Sequence, residues 1–119
     1  MVKVISGWSY APPSGGISNS TAGVQIAAAP GAGKRCVVDA VQLSATALGA
    51  ATQLVIRDGA GGTVLWRFGI GLAGLLAGLP IVFPKPLEGS ANALLEIATE
   101  TASVTGAVVC NVQGRVVSV

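Results

Sequence analysis

From Val24 onward, short runs rich in Val, Ile and Leu alternate with glycine-containing turns at roughly the 8–12-residue spacing of a sandwich or barrel. The runs cover residues 23–29, 34–46, 52–58, 63–69, 79–84, 92–99 and 104–117. Several show a period of two, the signature of a strand with one buried face. Val37, Val41 and Leu43 are expected on one face with Asp39 between them; Leu54 and Ile56 alternate with Arg57, and Val64, Trp66 and Phe68 with Arg67. Helical spacing competes only in LLEIATE, residues 94–100. In RDGAGGTVLWRF, Asp58, Gly59, Gly61 and Gly62 supply residues that tolerate positive φ, so strands over 52–58 and 63–69 should pair as an antiparallel hairpin. Many strands without a convincing helix predict an all-β, single antiparallel sandwich, jelly-roll-like if a strand near the N-terminus brings the total to eight.

The first 21 residues differ from this body. VKVISGWSY holds Trp8 and Tyr10, and APPSGGISNST, residues 11–21, is built of turn and linker formers. The expected division is an N-terminal arm and linker over 1–21 and a β-sandwich domain over 22–119. Two aromatics ahead of a flexible linker suit anchors that dock on a partner. The alternative is an edge strand of the same domain, with its aromatics turned to the core.

Composition sharpens the functional side. Of 119 residues, 51% are hydrophobic and only 10% charged, with a mean hydropathy of +0.71, against about 25% charged residues in ordinary soluble domains. Something must cover that apolar surface. The longest apolar run, Phe68 to Phe83, is broken by glycines and Pro80 and falls short of the ~20 residues of a spanning helix, so no membrane partner is expected. Association with further copies or with a larger assembly is the remaining cover. GIGLAGLLAGLP, residues 69–80, has no polar side chain and is expected as an apolar loop buried in a subunit interface or against a scaffold. The net charge is +2 with no run of Lys or Arg, which lacks the basic footprint of a nucleic-acid binder. No secretory signal pattern is read at the N-terminus. Cys36 and Cys110 sit in Val-rich runs and are expected as buried free thiols.

Candidate chemistry is sparse. APGAGKRC, residues 29–36, resembles a phosphate-binding loop, but Ala28 stands where the first glycine belongs, Arg35 replaces the hydroxyl residue, and a strand rather than a helix follows. It is expected as a turn, with Lys34 and Arg35 facing solvent. The chain contains no His, which removes the commonest general base and metal ligand. Asp39, Asp58, Glu88, Glu96 and Glu100 show no paired spacing for glycoside hydrolysis and are expected as solvated charges. No local pattern marks a Ser-Lys pair, and Asn19-Ser20-Thr21 is a chance-prone glycosylation match in a loop. No catalytic, metal or cofactor site is assigned, and an enzyme is not expected.

Three further features carry a likeness. They are the Asp-Gly hairpin running into Leu65-Trp66-Arg67, the F-x-x-P-L-x-G-S-x-N-x-x-L stretch over Phe83 to Leu95, and Asn111-Val112-Gln113-Gly114. With these the chain resembles a group of small β-sandwich structural proteins of tailed bacteriophages, over most of residues 24–117. The resemblance implies a virion protein made in the host cytoplasm, similar to head decoration or cement proteins, which sit as homotrimers on an expanded capsid and clamp shell subunits. The implied partners are the major capsid protein or other virion proteins, with no nucleic acid and no membrane. On this reading Val4, Trp8 and Tyr10 dock on the shell, and Leu72, Leu75 and Leu76 fill contacts near the symmetry axis. The rival is a tail or head fibre, or a carbohydrate-binding sandwich module.

Overall fold

A computed structural model describes residues 3–13, 16–17, 21–101 and 105–119. Asn19 and Ser20 of the glycosylation match lie outside the described residues. Eight strands follow one another: β1 (Val4–Tyr10), β2 (Val24–Ala27), β3 (Lys34–Ala45), β4 (Thr52–Asp58), β5 (Thr63–Ile70), β6 (Leu75–Glu88), β7 (Leu95–Thr99) and β8 (Val108–Ser118). They form two four-stranded sheets, in the orders β1-β8-β3-β6 and β2-β7-β4-β5. The antiparallel pairs β1·β8, β2·β7, β3·β6 and β4·β5 are the nested rungs of one long hairpin wrapped into two layers, which is the jelly-roll winding.

The expected hairpin is present, with Thr52 opposite Ile70 and Asp58 opposite Thr63. LLEIATE resolves in favour of a strand: β7 is buried along its whole length in the middle of its sheet. Two expectations change. Within the apolar stretch 69–80, Gly69 and Ile70 end β5 and only residues 71–74 form a turn, closed by the Gly74 amide donating to the Gly71 carbonyl at 3.0 Å. From Leu75 the chain is already β6, because Leu75, Ile81 and Phe83 pack against the core at strand spacing. Gly74, at φ +74°, backs onto the Thr46 carbonyl, where a Cβ would come within 2.1 Å.

The second change is in β3. Cys36 and Val38 belong to the core, and so do Val41, Leu43 and Ala45, which have the opposite parity. A register shift between Val38 and Ala40 makes this possible, since a bulge moves the alternation by one residue. Val37, expected beside Val41 and Leu43, is therefore buried but outside the core cluster.

Of the segment 1–21, residues Val4–Tyr10 form the edge strand β1, held along β8 from Val4·Val117 to Tyr10·Val112. Trp8 and Tyr10 both pack on the core cluster.

Candidate interaction surface

The outward faces of the two sheets differ in chemistry. On the sheet of β2, β7, β4 and β5, core-facing Leu54 and Ile56 leave Gln53, Val55 and Arg57 pointing outward, and cross-strand neighbours share a face. Arg57 Nε lies 2.8 Å from Glu96 Oε1, with the two side chains 17% and 6% exposed. The Glu96 carboxylate also accepts the Gly61 amide at 2.8 Å, tying β7 to the hairpin turn. Arg67 pairs with Glu100 and donates to Gln53 Oε1 at 2.6 Å. Glu96, expected as a solvated charge, is thus a buried structural one. Its carboxylate leaves no room for a side chain at Gly23, where a Cβ would fall 2.4 Å from it. Asp58 is occupied too, accepting the Ser90 amide at 2.9 Å and the Ser90 hydroxyl.

The outer face of β1-β8-β3-β6 carries two ion pairs: Asp39 with Arg115, a two-pronged contact with both bonds 2.8 Å long, and Arg35 of β3 with Glu88 of β6 at 3.4 Å. Toward the far edge the register sets Gln42 between Asn111 and Pro80, and Ala40 between Gln113 and Val82. Amides therefore occupy the middle of this face and apolar side chains its edge. A groove of about 270 Å³ runs between them, lined by Ala40, Gln42, Pro80, Val82, Asn111 and Gln113. Along β6, Leu76 is 79% and Val82 73% exposed, and no residue from Leu75 to Pro84 bears a charge. Behind that row, Phe83 of β6 meets Trp66 of β5 edge-on at 5.7 Å, and Trp66 lies 5.9 Å from Phe68. These half-buried rings close the seam between the sheets.

The six residues expected to bind partners are not brought together. Val4, 51% exposed, opens β1, whereas Leu76 lies near the start of β6 at the opposite edge of the same sheet. The register also puts them at opposite ends, Val4 beside Val117 and Arg35, Leu75 beside Ala45 and Val108. Leu72 is exposed in the turn, its carbonyl accepting the Leu48 amide at 2.8 Å. Leu75 is half-buried against the core. Trp8 is seated in the sandwich: its indole N–H donates to the Arg115 carbonyl at 3.2 Å, and its ring fills the space that a side chain at Gly114 would take. Tyr10 is half-buried, and burial raises its phenol above the ordinary value, with Cys110 adding to the shift.

Sequence reasoning passed over Pro80, Val82, Gln42, Asn111 and Gln113. A signal was available in PIVFPKP, since prolines at 80, 84 and 86 inside a strand pattern mark an edge. The motifs behind the phage resemblance prove architectural: Ser90 holds Asp58, Asn92 accepts the Gly31 amide at 2.9 Å with its own φ at +53°, and Gly114 receives Trp8. Both cysteines are buried and free, and desolvation pushes the Cys110 thiol up to about 12, so it stays protonated at neutral pH.

Neither a protein-family model nor a curated protein matches the chain. Among solved structures, the chain is similar to the VP2 subviral particle of infectious bursal disease virus, at 18% identity and a TM-score of 0.29 over 99% of this chain and 33% of that one. A structure of the Gt strain of the same virus matches at 15% identity and a TM-score of 0.27, over 98% of this chain and 32% of that one. The chain thus spans about a third of the length of these neighbours.

Proposed function

We propose that this chain is a structural protein of a bacteriophage virion, a head decoration or cement protein that binds the capsid shell as a homotrimer. The observation that carries the reading is the exposed, uncharged apolar row on β6 from Leu76 to Pro84, at the edge of β1-β8-β3-β6. Exposed, contiguous apolar surface on a small domain is the mark of an interaction site. Its partner in this reading is the major capsid protein or a neighbouring virion protein, and its role is mechanical rather than catalytic. Many copies on a lattice add weak single contacts into firm attachment. Val4 and Ile5, exposed on β1, provide the second apolar corner, for the shell.

The test is sedimentation of the purified chain with expanded phage heads stripped of accessory proteins. Co-sedimentation that saturates at a fixed copy number per head is expected. Heads that pellet without the chain, while the chain stays folded in the supernatant, would refute the reading. The amide-lined groove of Gln42, Asn111 and Gln113 favours one second reading, a fibre-type module that hydrogen-bonds sugar hydroxyls. Binding to a glycan array by the isolated chain would shift weight to it.

A further inference from the structure

The outer face of β1-β8-β3-β6 is hollowed across its strands. The register sets Ser9, Gln113, Ala40 and Val82 side by side in one row, and Asn111, Gln42 and Pro80 in the next. On the other side of the first row stand Gly7, Arg115 and Asp39. Ser9 and Ala40 are short and Gly7 has no side chain, so the surface dips between taller neighbours. A hollow of about 400 Å³ lies over Gly7, Ser9, Asp39 and Gln113. The groove of about 270 Å³ described above continues from it toward β6, and Gln113 lines both. With neighbouring strands about 4.8 Å apart, the two together cross four strands, or about 14 Å.

The chemistry of this trough selects its ligand. The charges that border it, Asp39 and Arg115, neutralise each other through both prongs of their contact, and the bulge in β3 is what brings Asp39 to Arg115. Gln42, Asn111 and Gln113 are left to bind: among the described residues none of these three side chains has a hydrogen-bond partner. A side-chain amide offers donors and an acceptor together, which matches a hydroxyl group, itself both donor and acceptor. An anionic ligand would find no unpaired cation in the trough, and a cationic one no unpaired carboxylate. Pro80 and Val82, exposed along the β6 wall, suit the C–H face of a sugar ring. An extended peptide is served better at a sheet edge, where its backbone can pair, than on a face whose backbone groups are already paired.

We infer that the trough binds a neutral glycan chain laid across the four strands, with Gln42, Asn111 and Gln113 bonding its hydroxyls and Pro80 and Val82 carrying its apolar side. This rests on the second reading above and adds the full extent of the site, its border at Asp39 and Arg115, and the rejection of charged sugars. Attachment to heads is read separately, by sedimentation, and does not enter the test.

The experiment is titration of the full chain with dextran, mannan and galactan, and with alginate and heparin as acidic counterparts, followed through the side-chain amide signals of Asn and Gln by nuclear magnetic resonance. Saturable binding to at least one neutral polymer is expected, with shifts at Gln42, Asn111 and Gln113 and none at Gln25, which is exposed on the other sheet. Gln42→Ala and Asn111→Ala should each weaken binding roughly three- to tenfold, with unchanged far-ultraviolet spectra, and Gln25→Ala should not weaken it. Ala40→Leu fills the dip from a different position and should weaken it as well. Binding to a neutral polymer that survives all three trough variants overturns the inference and leaves the glycan reading standing on another surface. Tighter binding to alginate or heparin overturns the inference alone, and no binding to any of the neutral polymers overturns both.

Discussion

The two sheets each carry two ion pairs on the outer face and differ in how deep those pairs lie and in what surrounds them. On β2-β7-β4-β5, arginine and glutamate alternate across strands, and even Val55 is fully buried between Arg67 and Ala98. On β1-β8-β3-β6 the centre is amide and the β6 edge is hydrocarbon from Leu75 to Pro84, ahead of exposed Lys85 and Glu88. The four ion pairs among the described residues divide two and two between the sheets, and on β6 the charges, Lys85 and Glu88, lie beyond Pro84, so that Leu75–Pro84 carries none.

The comparison breaks most sharply at Arg57. Removing it by Arg57→Ala strands Glu96 in a nearly dry site with only the Gly61 amide and no cation beside it. Breaking a buried pair costs ~3–5 kcal/mol; with Arg57 part-exposed, about 3 kcal/mol is expected, or a fall in Tm of roughly 10 °C for a domain of this size. Arg57→Met with Glu96→Leu should recover most of that, since a well-packed apolar pair replaces a buried ionic one at little net cost. Thermal unfolding of the three proteins decides it. A single variant as stable as the wild type would mean that the charged face is ornamental.

The next effect lies on β1-β8-β3-β6 and separates scaffold from contact. Trp8→Ala empties the space opposite Gly114 and removes the indole bond to Arg115. A part-buried tryptophan lost in this way is expected to cost about 2 kcal/mol. Ile5→Ser, three residues away and 46% exposed, should move stability by less than about 0.5 kcal/mol while weakening attachment to heads. Chemical denaturation and head sedimentation on the same two variants give the split. If Trp8→Ala kept full stability and lost only attachment, the aromatic would belong to the docking surface after all.

How far the sequence could be followed depends on which interactions are local. The hairpin at Asp58–Thr63 was legible because its turn chemistry is contiguous, and the eight-strand sandwich because alternation survives in nearly every run. Three things were not. The bulge in β3 reverses the alternation between Val38 and Val41, and nothing in RCVVDAVQL marks where the phase slips. Glu96 reads as a surface charge until Arg57 arrives from the strand opposite. The apolar run 69–80 has no polar residue to show where the turn ends, so the start of β6 depends on Gly74 finding Thr46 far away in sequence. For the candidate surface, the sequence marked Leu76 only as part of an apolar loop expected at a contact, and the structure finds it exposed on β6. Val82 was not, because which face of an edge strand looks outward depends on its register with β3.

The smallest expected effect tests whether the charged face is graded by depth. Arg67, opposite Val55, and Glu100, beside Gln53, lie further along the same sheet face than Arg57 and Glu96, with side chains 46% and 39% exposed instead of 17% and 6%. At that exposure water screens the pair, and each long side chain loses freedom in making it, so its net worth is about 0–1 kcal/mol. Arg67→Gln can keep a hydrogen bond toward Gln53 while removing the charge, and is expected to lower stability by less than about 0.5 kcal/mol. Even this should vanish near 1 M salt, where the screening length shrinks to about 3 Å. Arg57→Ala should keep most of its penalty at the same salt, because little solvent reaches its partner. Equal salt sensitivity in the two variants would mean that depth does not order the ladder, and that Glu96 is wetter in solution than its 6% exposure indicates.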